Sequence, residues 1–83
     1  MKIAIIDYEL GNLRSVCGAV EKLGHRAYIT NDIAKFEEAD KLILPGVGAF
    51  EDGMKNLNNL GLIEPLTRLV LNGQKPILAI CLG

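Results

Sequence analysis

Four consecutive apolar residues, Ile3-Ala4-Ile5-Ile6, stand between Lys2 and Asp7 with no polar residue among them. A strand with one face on a core and the other in water alternates apolar and polar side chains. A strand covered on both faces has no need to. The run therefore suits the interior of a parallel sheet with helices on both sides, and the remaining residues have to supply those helices. At 83 residues the chain has room for one modest core, since a chain of this length buries only ~60 to 65% of the surface its unfolded form exposes.

The chain in order meets that requirement. After Asp7 the segment Tyr8-Glu9-Leu10-Gly11-Asn12 reads as a loop, with Asn12 able to cap the next helix. Leu13, Val16, Cys17, Val20 and Leu23 share one helical face, stopped by Gly24. Residues 26 to 30 read as a second strand, and the stretch around Ile33 and Phe36 as one or two helical turns. Lys41 to Leu44 is the third strand, broken by Pro45, so that Pro45-Gly46-Val47-Gly48-Ala49 is expected to be a loop. Phe50, Met54 and Leu57 define a helix that Gly61 interrupts. A further helix from about Leu62 carries Leu66, Leu69 and Val70, tolerates Pro65 in its first turn and is closed by Asn72-Gly73. A last apolar strand runs from Pro76 to Cys81. Strands alternating with helices predict the α/β doubly wound class, flavodoxin-like, with a mostly parallel sheet and right-handed crossovers.

In such sheets ligands bind outside the carboxyl ends of the strands. Three stretches are expected there: Asp7 to Asn12, Pro45 to Gly48, and Cys81 to Gly83. A cysteine that ends a buried strand and precedes a sharp turn resembles a nucleophile elbow, where backbone N–H groups favour the thiolate. Cysteine is also a small buried hydrophobe, and spacing alone leaves both readings of Cys81 open. Gly46 and Gly48 free the backbone around Val47, so that an N–H can point inward as an oxyanion hole requires; the same pattern serves an ordinary turn. It is not a P-loop, because no Gly-Lys-Ser/Thr comes after it, and Glu51 stands where the dinucleotide fingerprint has its third glycine. Asp7 reads as a carboxylate bonded to loop N–H groups, and Cys17 as core.

His25 lies at the amino end of the second strand, ~17 Å from the carboxyl end at ~3.3 Å for each of five residues, too far to serve Cys81. A disulfide between Cys17 and Cys81 is disfavoured by their different settings. No His/Cys cluster has metal-ligand spacing, and no cofactor is called for. With nine basic residues against ten acidic, for a net charge of −1, the chain carries no stripe for nucleic acid or an anionic membrane. No apolar run is long enough to span a bilayer, and the expected compartment is the cytoplasm.

Taken together, Asp7-Tyr8-x-x-Gly11-Asn12-Leu13-x-Ser15-Val16, then Leu44-Pro45-Gly46-Val47-Gly48-Ala49-Phe50 with Met54, then Gly61-Leu62, then Pro76-Ile77-Leu78-Ala79-Ile80-Cys81-Leu82-Gly83 resemble, in order, the class I (triad) glutamine amidotransferases. Within them the resemblance is to the glutaminase subunits of imidazole glycerol phosphate synthase. It implies hydrolysis of glutamine to glutamate and ammonia, with ammonia channelled to a TIM-barrel cyclase subunit in a heterodimer of histidine biosynthesis. Cys81 would attack the carboxamide carbon, and the N–H groups of Leu82 and Val47 would hold the oxyanion. Gly46 and Gly48 would line the glutamine pocket, and Asn12 would lie near the cyclase.

The resemblance also implies that residues 1–83 are the N-terminal part of a single amidotransferase domain, ending just after the nucleophile and without the family's catalytic His and Glu. Glu9 stands where the first loop often has glycine, and Ala79 where the elbow strand often does. Two other readings remain open: another class I amidotransferase, or a non-catalytic flavodoxin-like binding or interaction module. A receiver-type switch would need an aspartate where Pro45 stands.

Overall fold

The computed structural model describes residues 1–9, 13–46 and 50–81, the side chains of residues 50, 51, 80 and 81 excepted. Its elements run in the order β1 (Lys2–Ile6), α1 (Leu13–Lys22), β2 (Arg26–Thr30), α2 (Ile33–Glu38), β3 (Lys41–Gly46), α3 (Phe50–Asn59), α4 (Ile63–Thr67), a π-helical turn (Arg68–Asn72) and β4 (Ile77–Cys81). The four strands form one sheet in the order β2-β1-β3-β4, and every pairing is parallel. This is the flavodoxin-like order, with its reversal between β1 and β3.

The unbroken apolar run of β1 has the expected cause. Ile3 and Ile5 pack with Val16, Val20 and Ile43 on the α1 face. Ala4 and Ile6 pack with Phe36, Leu42, Leu57, Leu62 and Leu66 on the face covered by α2, α3 and α4. Successive side chains of a strand point to opposite faces, so each face needs its own apolar set. Phe36, fully buried in a helix of only six residues, anchors α2 to the sheet. That short helix is capped by Asp32, whose carboxylate accepts from the Ala34 N–H at 3.0 Å. Its carboxyl end faces Lys75, whose ammonium donates to the carbonyls of Glu37 at 3.1 Å and of Ala39. A cation at that helix end is favourable, and it ties the approach to β4 to α2.

Gly61 ends α3 for a specific reason. Its φ is +69°, its N–H donates to the Asn58 carbonyl, and the next N–H, of Leu62, donates to the Leu57 carbonyl. These two bonds are a Schellman motif, which needs a residue free to adopt the left-handed region. Pro65 falls among the first residues of α4, where its absent N–H is no loss.

Three expectations change. β3 continues through Pro45 and Gly46, because Pro45 pairs with Ile80 and Gly46 with Cys81. The ladder with β1 has already ended at Ile43, so the missing Pro45 N–H leaves no β1 bond unmade. Leu23 is 76% exposed; α1 ends at Lys22 and the chain turns at Gly24, φ +89°, so the helical phase no longer applies to it. The predicted helix from Leu62 to Asn72 is α only through Thr67 and widens into the π-helical turn thereafter.

The two sheet edges differ. β2 carries Arg26 and Thr30, whereas β4 is Ile-Leu-Ala-Ile-Cys with no charge. Ile77 and Leu78 are exposed, Leu78 by 58%, and open grooves of about 450 and 330 Å³ flank β4. One is lined by Val20, Ile43 and Leu78, the other by Leu57, Leu66 and Ile77. Among the described residues no helix is long and apolar enough to cross a membrane.

Candidate active site at the carboxyl edge of the sheet

The register of the sheet decides which predicted residues meet. Pairing of Leu42 with Ile77 propagates along β3 and β4 until Gly46 stands opposite Cys81 at the carboxyl end of both strands. Adjacent strands lie ~4.8 Å apart, so the backbones of Gly46 and Cys81 are immediate neighbours. Gly46 itself places no side chain at this position. Ala79, two residues earlier, pairs with Leu44 within the regular ladder, so a methyl group there is accommodated in ordinary strand geometry. Val47, Gly48, Leu82 and Asn12, the other residues assigned roles by the resemblance, lie outside the described residues.

The β1 end contributes the next wall. Asp7 closes β1, its N–H donating to the Thr30 carbonyl at 2.9 Å. Its carboxylate accepts from the Glu9 N–H at 3.1 Å, the loop-bracing role expected for it. Glu9 itself adopts φ +71°, the left-handed region that disfavours any residue with a Cβ. The position at which the resemblance expects glycine is thus one whose backbone favours it. Glu9→Gly is expected to raise stability by about 0.5 to 1 kcal/mol, the relief of a left-handed Cβ less the entropy glycine loses. A urea midpoint unchanged or lowered by this substitution would contradict that account.

Two residues with no role assigned from sequence also belong to this edge. Tyr8 is 3% exposed and its hydroxyl donates to the Pro45 carbonyl. Asn56 of α3 donates through Nδ2 to the Tyr8 carbonyl at 2.9 Å. Neither link is visible in local sequence, since the partners are separated by 37 and 48 positions and meet only once the register is set.

The remaining candidates lie elsewhere. His25 directly precedes Arg26, which pairs with Lys2 at the amino end of the sheet, opposite to the end where Gly46 meets Cys81. It is the chain's one histidine, so these residues bring no imidazole to the cysteine. Cys17 is a free thiol, half-buried against the α1-side cluster. Burial, and secondarily the neighbouring Glu21 carboxylate 3.6 Å from Sγ, push its pKa up. Both effects disfavour the thiolate, the opposite of what a nucleophile needs.

An all-parallel β2-β1-β3-β4 sheet, with a cysteine closing the last strand beside a glycine of its neighbour, is the α/β arrangement expected of the N-terminal part of a class I glutamine amidotransferase. Comparison with known proteins makes the likeness specific. The chain is 54% identical over 81 residues to imidazole glycerol phosphate synthase subunit HisH 1 of Campylobacter jejuni, covering 98% of this chain and 40% of the relative. It is 52% identical over 82 residues to subunit HisH of Geobacter sulfurreducens, covering 99% and 39%. It is 52% identical over 81 residues to subunit HisH 2 of Methanococcus maripaludis, covering 98% and 40%. The resemblance read from the motifs is thereby borne out along nearly the whole chain. The chain spans about two fifths of the length of these curated relatives, at their N-terminal end. No protein-family model matches it.

Proposed function

We propose that these residues are the nucleophile-bearing part of a glutaminase subunit of imidazole glycerol phosphate synthase, hydrolysing glutamine to glutamate and ammonia for a cyclase partner. The observation that carries this reading is the pairing of Gly46 with Cys81 at the carboxyl edge. A glycine backbone next to the cysteine supports a role for the segment that begins at Gly46 in answering charge that develops on a substrate Cys81 attacks. In this reading the Cys81 sulfur adds to the carboxamide carbon. The carbonyl oxygen becomes an oxyanion held by the N–H groups of Val47 and Leu82, the C–N bond breaks, and ammonia leaves. Water then releases glutamate from the thioester.

Gly46 and Gly48 line the glutamine pocket, and Asn12 lies near the interface with the cyclase, a TIM-barrel protein. Residues 1–83 are the N-terminal part of a single amidotransferase domain. The base that accepts the thiol proton, and the carboxylate that orients it, come from outside these residues.

The test is a chimera in which residues 1–83 replace the matching segment of the Campylobacter jejuni relative. It is expected to release ammonia from glutamine, faster in the presence of that relative's synthase partner. A chimera that folds and still assembles with the partner, yet leaves glutamine intact, would leave Cys81 a structural residue and favour a non-catalytic module.

A further inference from the structure

Tyr8 sits two positions beyond β1, yet its side chain and carbonyl tie that strand end to two further elements, β3 and α3. The hydroxyl donates to the Pro45 carbonyl at the end of β3. The ring packs on α3, where a Cβ placed on Gly53 would stand 3.4 Å from Cε2. Its carbonyl accepts from Asn56 Nδ2 at 2.9 Å. Almost no solvent reaches the ring, so water does not compete with the hydroxyl for its acceptor.

The acceptor matters because of its place in the chain. Pro45 has its φ locked by its ring, and its carbonyl belongs to the peptide that leads into Gly46. With φ of Pro45 set by the ring, the bond from the phenol to the carbonyl restrains ψ, the remaining angle on that side that orients the peptide plane. The next residue, Gly46, is the one paired with Cys81, and as a glycine it would otherwise wander through a wide range of backbone angles. We infer that Tyr8 is a positioning residue: its hydroxyl fixes the Pro45–Gly46 peptide so that the Gly46 backbone is presented at one place beside Cys81. The catalytic side of this inference rests on the glutaminase reading; the tether itself does not.

Two measurements separate the two. In the 83-residue chain, Tyr8→Phe keeps the ring and removes the donor. Amide exchange at Gly46 and Cys81 is then expected to rise about tenfold relative to that at Ile5 in the sheet centre. Equal acceleration at all three, or none, would overturn the tether. In the chimera, Tyr8→Phe is expected to lower kcat about tenfold with KM changed less than about twofold, because misplacement costs the attack more than it costs binding.

Tyr28→Phe is the control. Its hydroxyl bonds the Lys35 carbonyl at 2.9 Å on the edge strand β2, so it loses a comparable bond far from Cys81 and is expected to leave kcat unchanged. A Tyr8→Phe chimera with kinetics like the Tyr28→Phe chimera would overturn the positioning role. A chimera inert even with Tyr8 intact would remove both the glutaminase reading and the catalytic role, leaving the exchange result to decide the tether alone.

Discussion

Mixed with glutamine, the isolated 83-residue chain is expected to release ammonia no faster than its own Cys81→Ser variant, whereas in the chimera the same substitution is expected to lower release by about 10⁴- to 10⁶-fold, the order seen when a nucleophile is removed from an assembled site. The contrast has a geometric cause. A thiol must lose its proton to attack a carboxamide, and a positioned base ordinarily contributes ~10²- to 10⁴-fold. The one imidazole among these residues, His25, is anchored beside the Arg26–Lys2 pair at the amino edge. No motion short of unfolding β2 brings it to the carboxyl edge. The chimera restores whatever base the relative carries, so serine, a far weaker nucleophile than cysteine at neutral pH, exposes the full contribution of Cys81. Ammonia release by the isolated chain that disappears with Cys81→Ser would overturn the assignment of the base to residues beyond these 83.

The second large effect concerns the fold itself. Phe36→Ala is expected to cost about 3 to 5 kcal/mol, the usual range for deleting a buried phenyl ring. Phe36 is fully buried between β1 and α4, among Ile6, Leu42, Leu62 and Leu66. α2 has only six residues, too few to be stable without that anchor. A domain of this size has roughly 4 to 12 kcal/mol of stability in all, and a short chain belongs toward the lower end. Urea titration monitored by circular dichroism should therefore lose its cooperative transition or move it close to zero denaturant. Leu71→Ala, at a residue 70% exposed, is the matched control and should stay within about 0.5 kcal/mol of the parent. A Phe36→Ala midpoint indistinguishable from that control would mean that the cluster around β1 is not what holds the sheet.

What the sequence made legible, and what it hid, divides along a physical line. Period and punctuation are local properties, so the buried β1, the face of α1, the stop at Gly61 and the placing of Asp7, Gly46 and Cys81 at one sheet edge could all be read from residue type. Register is not local. That Gly46 rather than Val47 stands opposite Cys81, and that Tyr8 reaches Pro45, depend on strands aligned across more than thirty intervening residues. Proline was over-read as a breaker at Pro45, because its cost depends on whether a neighbouring strand needs its N–H, and there the β1 ladder has ended. Leu23 fits the helical period but lies past the last turn of α1. The left-handed backbone of Glu9 is not legible from the residue itself, one that region disfavours; its only sign is the glycine that the resemblance expects there.

The order of the strands also constrains how these residues can assemble. Among the described residues β4 has a single neighbour, β3, and β3 in turn lies against β1. Until β3 has docked, the strand that ends in Cys81 has no template on which to align. Its uncharged edge gains nothing by standing alone in water. During synthesis the parts earlier in the chain can pair first, and the cysteine strand joins a sheet already formed behind it. Among these residues the place beside Gly46 is thus filled only after β3 has docked, and a chain in which that docking is incomplete cannot hold its thiol there.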